Sequence, residues 1–151
     1  MALVEAAENI PNKDKKEILT KYYNQLMTAV CEWQDPETFL WYNVTNGDES
    51  IVLNKGSEVI ANKQESSGSA MFAYCLLRGY HSGLLKDEEF RTAGLQAYNA
   101  LMETKMTDAG LIDTIASCNV VVNPANYMAS GYAVNDGKGI GPLMMATKYA
   151  Y

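Results

Sequence analysis

With 151 residues, twelve basic and eighteen acidic side chains, the chain is long enough for one domain with a sizeable core and requires no second. Its formal net charge of −6, with no cationic cluster denser than Lys13-Asp14-Lys15-Lys16, argues against duplex nucleic acid, whose binding relies on clustered cations at phosphates. Met1 to Pro11 carries Glu5 and Glu8 without a basic leader, no apolar run can span a bilayer, and Cys31, Cys75 and Cys118 are odd in number and widely spaced. The expectation is a cytoplasmic chain with reduced thiols, no membrane partner, no disulfide framework and no zinc cluster.

In chain order, Met1 to Asn9 reads as the tail of an inner helix. After Pro11 and the cap Asn12, a helix is predicted from about Asp14 to Gln34, with Ile18, Tyr22, Leu26, Ala29, Val30 and Trp33 at helical spacing and charges elsewhere. Its one-sidedness makes it an outer helix, with Trp33 expected in the core. Asp35-Pro36-Glu37 stops it, Leu40 to Val44 is short and extended, and a polar loop runs to about Gln64.

The run from Glu65 to Gly79 then places small polar residues before eight consecutive apolar ones, Ala70 to Leu77. A helix that is apolar all round must be surrounded by protein or lipid, and this one is too short for a bilayer. It is therefore predicted as an inner helix over Ser67 to Arg78, entering a core at its serine and glycine end. Gly79 and Gly83 are expected to bracket a turn containing His81, the single histidine, read as a loop residue rather than a catalytic one. Asp87-Glu88-Glu89 opens another amphipathic helix, to about Glu103, with Phe90, Gly94, Ala97 and Leu101 as its buried stripe. Met106 to Ile112 forms a turn like that of Asp35 to Trp41. A long loop follows, and a second inner helix spans Ile140 to Ala150 behind a glycine-rich entry. The unit of outer helix, turn, long loop and inner helix thus occurs twice, which indicates an array of helical hairpins and suggests a toroid.

The glycines Gly137, Gly139 and Gly141 lack the Gly-Lys-Ser/Thr ending of a P-loop and the strand of a dinucleotide fold, so they are read as allowing tight turning and close helix approach. Asn43-Val44-Thr45 matches a glycosylation acceptor, which is read as a chance match.

Several motifs carry a resemblance in common order and spacing. They are Met1-Ala2-Leu3-Val4, Trp33-Gln34-Asp35-Pro36-Glu37 with Leu40-Trp41-Tyr42, Glu65 to Tyr74, Asp108-Ala109-Gly110-Leu111, and Asn135 to Pro142. Together they resemble the C-terminal part of the unsaturated rhamnogalacturonyl hydrolases, glycoside hydrolase family 105, related to family 88. The resemblance covers essentially the whole chain. It implies an all-α fold, with helical hairpins forming part of an (α/α)6 toroid that is incomplete in this chain, residues 1–151 being a single domain. It further implies removal of a 4,5-unsaturated uronic acid from pectin-derived oligosaccharides by hydration of the vinyl ether, with an aspartate as general acid and base.

The family's catalytic aspartates, a histidine and a Trp-x-Arg motif precede the residues that match Met1, so no catalytic residue is assigned in this chain, and neither a metal nor a cofactor is implied. What carries over is the rim at the N-terminal ends of the inner helices. Its candidate substrate-binding residues are Glu65, Ser67 and Ser69, the loop Tyr127, and Asn135, Asp136 and Lys138. Glu65 is equally explained as a helix cap. Two function classes stand: a uronyl hydrolase that is inactive alone because its catalytic half is elsewhere, or a noncatalytic helical remnant that binds carbohydrate or self-associates. The expected partners are an unsaturated uronyl oligosaccharide and either the missing N-terminal half or further copies of the chain. Contact between copies is expected through Met1 to Asn9 and Leu143 to Tyr151.

Overall fold

The computed structural model describes residues 1–45, 52–55, 57–116, 127–128 and 131–151; the expectations for Cys118 and most of the second long loop lie outside them. Helices dominate, as the sequence predicts: α1 (Ala2–Asn9), α2 (Lys13–Glu32), α3 (Ser66–His81), α4 (Glu88–Ala100) and α5 (Gly137–Ala150). Among the described residues three antiparallel two-stranded ribbons punctuate the connections. They pair β1 (Val52–Lys55) with β2 (Glu58–Ala61), β3 (Met106–Thr107) with β4 (Gly110–Leu111), and β5 (Thr114–Ile115) with β6 (Tyr132–Ala133). The first of these lies in the stretch expected to be a polar loop.

α3 is the hub. Ala70, Ala73, Tyr74, Leu76 and Leu77 are all buried, because α5 packs along one side of it and α4 along another. The all-round apolarity of this segment thus has the cause inferred for it. Gly94 of α4 allows the close approach to α3: a Cβ there would come 2.9 Å from Leu77 Cγ and 3.1 Å from Leu76 Cβ. α3 also continues through Gly79 to His81, where a turn was expected. The chain needs the helix there because the Gly79 backbone passes directly over Tyr23 and Leu85, and the turn comes only at Gly83, whose φ is +74°. His81 accordingly sits on the last helical turn, its ring 5.3 Å from that of Tyr149.

α2 is an outer helix capped by Asn12, whose Oδ1 accepts from the Lys15 N–H at 3.0 Å. Its orientation differs from the expected one. Tyr23, Met27 and Val30 face the core, and the Tyr23 hydroxyl donates to the Cys75 carbonyl oxygen at 2.5 Å. Ile18, Tyr22, Leu26 and Trp33 are 54%, 58%, 49% and 50% exposed. The helix carries two adjacent apolar stripes, and periodicity cannot say which one meets the core. The tryptophan in the core is Trp41, whose Nε1–H donates to the Val30 carbonyl at 2.8 Å and whose ring meets Phe72 edge-on at 5.1 Å.

α4 buries Phe90, Gly94 and Ala97 as expected, and Leu101 follows in a π-turn (Leu101–Lys105) closed by the Met106 N–H donating to the Leu101 carbonyl. α2 and α4 are joined by Gln34, whose Nε2 donates to Phe39 O at 2.9 Å and Ala93 O at 3.1 Å. Phe39 itself has φ +60°, held by its N–H bond to the Asp35 carbonyl at 2.8 Å. Leu143, expected at a free edge, is 3% exposed and packs inward; the open flank of α5 is Met144 and Met145 instead.

Candidate functional site

Both inner-helix entries begin with an acid that caps its own helix. Glu65 precedes α3 and is 4% exposed. Its Oε1 accepts from the Ser67 N–H at 2.8 Å, the Ser67 hydroxyl, and the Ile115 N–H at 2.9 Å, while Oε2 accepts from the Gly68 N–H at 2.5 Å. Two of these donors are orphan amides of the first helical turn, which is the demand a cap meets. The Ile115 bond adds a tie to β5. Ser69 serves the same scaffold, its Oγ accepting from the Trp41 N–H at 3.1 Å, and the neighbouring Ser66 hydroxyl donates to the Ile112 carbonyl at 2.6 Å.

Asp136 repeats the role at α5, accepting from the Lys138 N–H at 3.0 Å and pairing with the Lys138 ammonium at 2.8 Å. The Lys138 side-chain hydrogen bond, with help from its backbone and charge, holds the Asp136 carboxyl below the usual aspartate range. Lys138 Nζ also donates to Ala116 O at 3.3 Å. Asn135, at φ +58°, accepts from the Leu111 N–H at 3.0 Å and donates to Ala109 O at 2.7 Å. The β5–β6 ribbon runs between the two helix entries and binds them into one rim.

The candidates therefore separate into two groups. Glu65, Ser69 and Tyr127 line a common recess with Trp41, Asn43 and Phe72, and Ser67 stands behind Glu65; Asn135, Asp136 and Lys138 form a second cluster across the ribbon. The recess measures about 90 Å³. That is room for about three waters, well short of the roughly 300 Å³ at which enclosing ligand sites begin. By itself it is too small to enclose a sugar ring. Tyr132, whose hydroxyl hydrogen-bonds to Asn43 beside the recess, has its pKa raised by burial and stays a neutral hydroxyl.

A larger groove was not anticipated from sequence. About 500 Å³ in volume, it lies between the turn at Thr38 and Phe39 and the end of α4, with Gln64, Gln96, Asn99, Glu103 and Lys105 around it. These residues come from three separate segments and have no common spacing; only the fold assembles them. Among the described residues no cluster of histidine, cysteine and acid has the makings of a metal site, and no helix is long and apolar enough to cross a membrane.

The comparisons with known proteins agree with this architecture. Protein Atu3128 of Agrobacterium fabrum and the 24.9 kDa protein in picA locus of Rhizobium radiobacter are each 32% identical over 97% of this chain. The chain spans 65% of the length of each. A family 105 glycoside hydrolase of C. acetobutylicum superposes with a TM-score of 0.82 at 28% identity, covering 99% of this chain and 42% of its own. A possible family 105 member from Salmonella enterica gives 0.77 at 17% identity over 97% of this chain and 36% of its own, a likeness of fold. The helical array is thus part of an α/α toroid. The family model for Glycosyl Hydrolase Family 88 matches residues 1–150, and with the agreement of fold and relatives the chain belongs to that glycoside hydrolase family, related to family 105.

Proposed function

We propose that this chain forms part of the substrate cleft of a hydrolase that removes 4,5-unsaturated uronic acid from pectin-derived oligosaccharides, and that it does not catalyse the reaction alone. The observation that carries this reading is the state of the rim carboxylates. Hydration of a vinyl ether begins with protonation of carbon, so it needs an acid free to give and take a proton. Glu65 has four donors on its two oxygens, and Asp136 is held as a carboxylate by Lys138. Both are occupied by structure. Trp41, Phe72 and Tyr127 supply the kind of apolar and hydroxylated wall that a sugar ring packs against. The odd number and wide spacing of Cys31, Cys75 and Cys118 suit a reducing, cytoplasmic setting.

Incubating the purified chain with an unsaturated digalacturonide and following loss of the double-bond ultraviolet absorbance tests the proposal. No turnover is expected. Turnover abolished by Asp136→Asn would overturn it and make Asp136 the catalytic group.

The groove at Asn99 and Glu103 favours a second reading, a noncatalytic carbohydrate-binding module, since amides, hydroxyls and carboxylates around one aromatic side chain suit a polyol. Calorimetric titration with saturated digalacturonate separates the two: binding abolished by Asn99→Leu but not by Tyr127→Ala assigns the sugar to the groove.

A further inference from the structure

The apolar stripe on the solvent side of α2 is the largest feature that the hydrolase reading leaves unused. Ile18, Tyr22, Leu26 and Trp33 are each about half exposed, and Ala29 lies between the last two. At 3.6 residues per turn the five fall within about 80° of one another, so they form one band along a 20-residue helix. A solvated helix face normally carries charge there, and a contiguous apolar band marks a contact surface.

The geometry points to a second copy of this chain as the occupant, paired through α2 in antiparallel fashion about a two-fold axis near Leu26. Such a pairing sets Ile18 of one copy opposite Trp33 of the other and Tyr22 opposite Ala29, matching large with small, while the two Leu26 side chains meet at the axis. Charge decides the direction. Lys21 and Glu32 lie on the same edge of the band, within about 20° of each other, and neither is in an ion pair among the described residues. Antiparallel pairing about a two-fold brings the same edges of the two bands together and so sets Lys21 of each copy against Glu32 of the other, twice by symmetry; parallel pairing puts these edges on opposite sides of the seam, where the two residues do not meet. A contact along this helix buries on the order of 1,000 Å² in total, close to the lower bound for a specific interface.

Sedimentation velocity on the full chain between about 1 and 100 µM tests this. A monomer–dimer equilibrium is expected, weakened at least about tenfold by Leu26→Glu, by Lys21→Glu and by Glu32→Lys, each at an exposed position that leaves helicity unchanged. The double variant Lys21→Glu with Glu32→Lys is expected to recover the parental dissociation constant, because the swapped charges again face their opposites. A monomer throughout the range would overturn the proposal and leave the band for a different polypeptide. A dimer insensitive to Leu26→Glu would also overturn it, moving the contact to Met144 and Met145 on α5; a dimer weakened by both single charge changes but not restored by the double would overturn the antiparallel arrangement.

Discussion

Glu65 Oε1 accepts a hydrogen bond from the Ile115 N–H at 2.9 Å, across fifty residues of chain, while the same carboxylate caps α3. One side chain therefore sets both the start of the central helix and the position of the ribbon that carries the rim across to Asp136.

Replacing Glu65 by Ala is expected to destabilise the chain by about 2–4 kcal/mol, the sum of a lost cap and of a buried amide left without a partner. Glu65→Gln keeps one acceptor oxygen and should cost about half as much. Urea denaturation followed by circular dichroism measures both. A substitution to Ala that left the midpoint unchanged would show the carboxylate to be held for ligand rather than for the fold.

The structure shows why sequence marked the two helix entries and left open what their acids do. Small polar residues ahead of an apolar run mark a helix entering a core, and that pattern located both Glu65 and Asp136. Which donors reach each oxygen depends on β5 and β6, two-residue strands too short for any periodic signal. The inner and outer assignment was legible for α3, whose run from Ala70 to Leu77 is apolar on every face. On α2 it failed in register, since Tyr22 and Tyr23, or Leu26 and Met27, are interchangeable to a periodicity argument and only packing against Cys75 decides between them. The groove at Asn99 was invisible for a related reason: its walls meet only after the π-turn redirects the end of α4.

Gly94→Ala tests the contact between α3 and α4. The added methyl would meet Leu76 Cβ at 3.1 Å, an atom fixed to the helix backbone, and Leu77 Cγ at 2.9 Å, so the helices must separate. Overpacking of this kind costs about 1–3 kcal/mol, more than the roughly 1 kcal/mol that alanine gains over glycine in a helix. Net destabilisation is expected in a denaturation midpoint. A stabilised variant would mean that α4 can slide on α3.

Cys31 should resist alkylation. Burial first, then the nearby carboxylates of Glu89 and Glu32, push its thiol up to about 11. Only the thiolate reacts, and against an ordinary cysteine near 8.5 its population at neutral pH falls by a factor of about 300, partly offset by the greater nucleophilicity of the more basic sulfur. Iodoacetamide labelling at Cys31 is expected to be about 20-fold slower than that of a free thiol at the same pH. Mass spectrometry of the native chain over time reads it directly, and labelling as fast as that of the urea-unfolded chain would refute the inferred environment.

Acid should loosen the turn that follows α2. Partial burial works to raise the Asp35 carboxyl, but the Thr38 N–H and hydroxyl, each at 2.8 Å from Oδ1, and the Glu37 N–H outweigh it and hold the pKa below the usual value. A carboxylate depressed in the folded state stabilises the fold above its unfolded pKa of about 3.9, and that contribution disappears as the pH falls through the folded pKa. The urea midpoint should therefore hold between about pH 7 and 5 and decline below about pH 4. Asp35→Asn, which keeps one acceptor oxygen but no charge, is expected to lower the midpoint at pH 7 and to lose that difference progressively as the pH falls below about 4 and the parent carboxylate takes up its proton. The Phe39 backbone at φ +60° depends on this turn, so its loosening should also raise amide exchange at Phe39 and Leu40. A gap between parent and variant that is as large at pH 3 as at pH 7 would assign the role of Asp35 to shape rather than to ionisation.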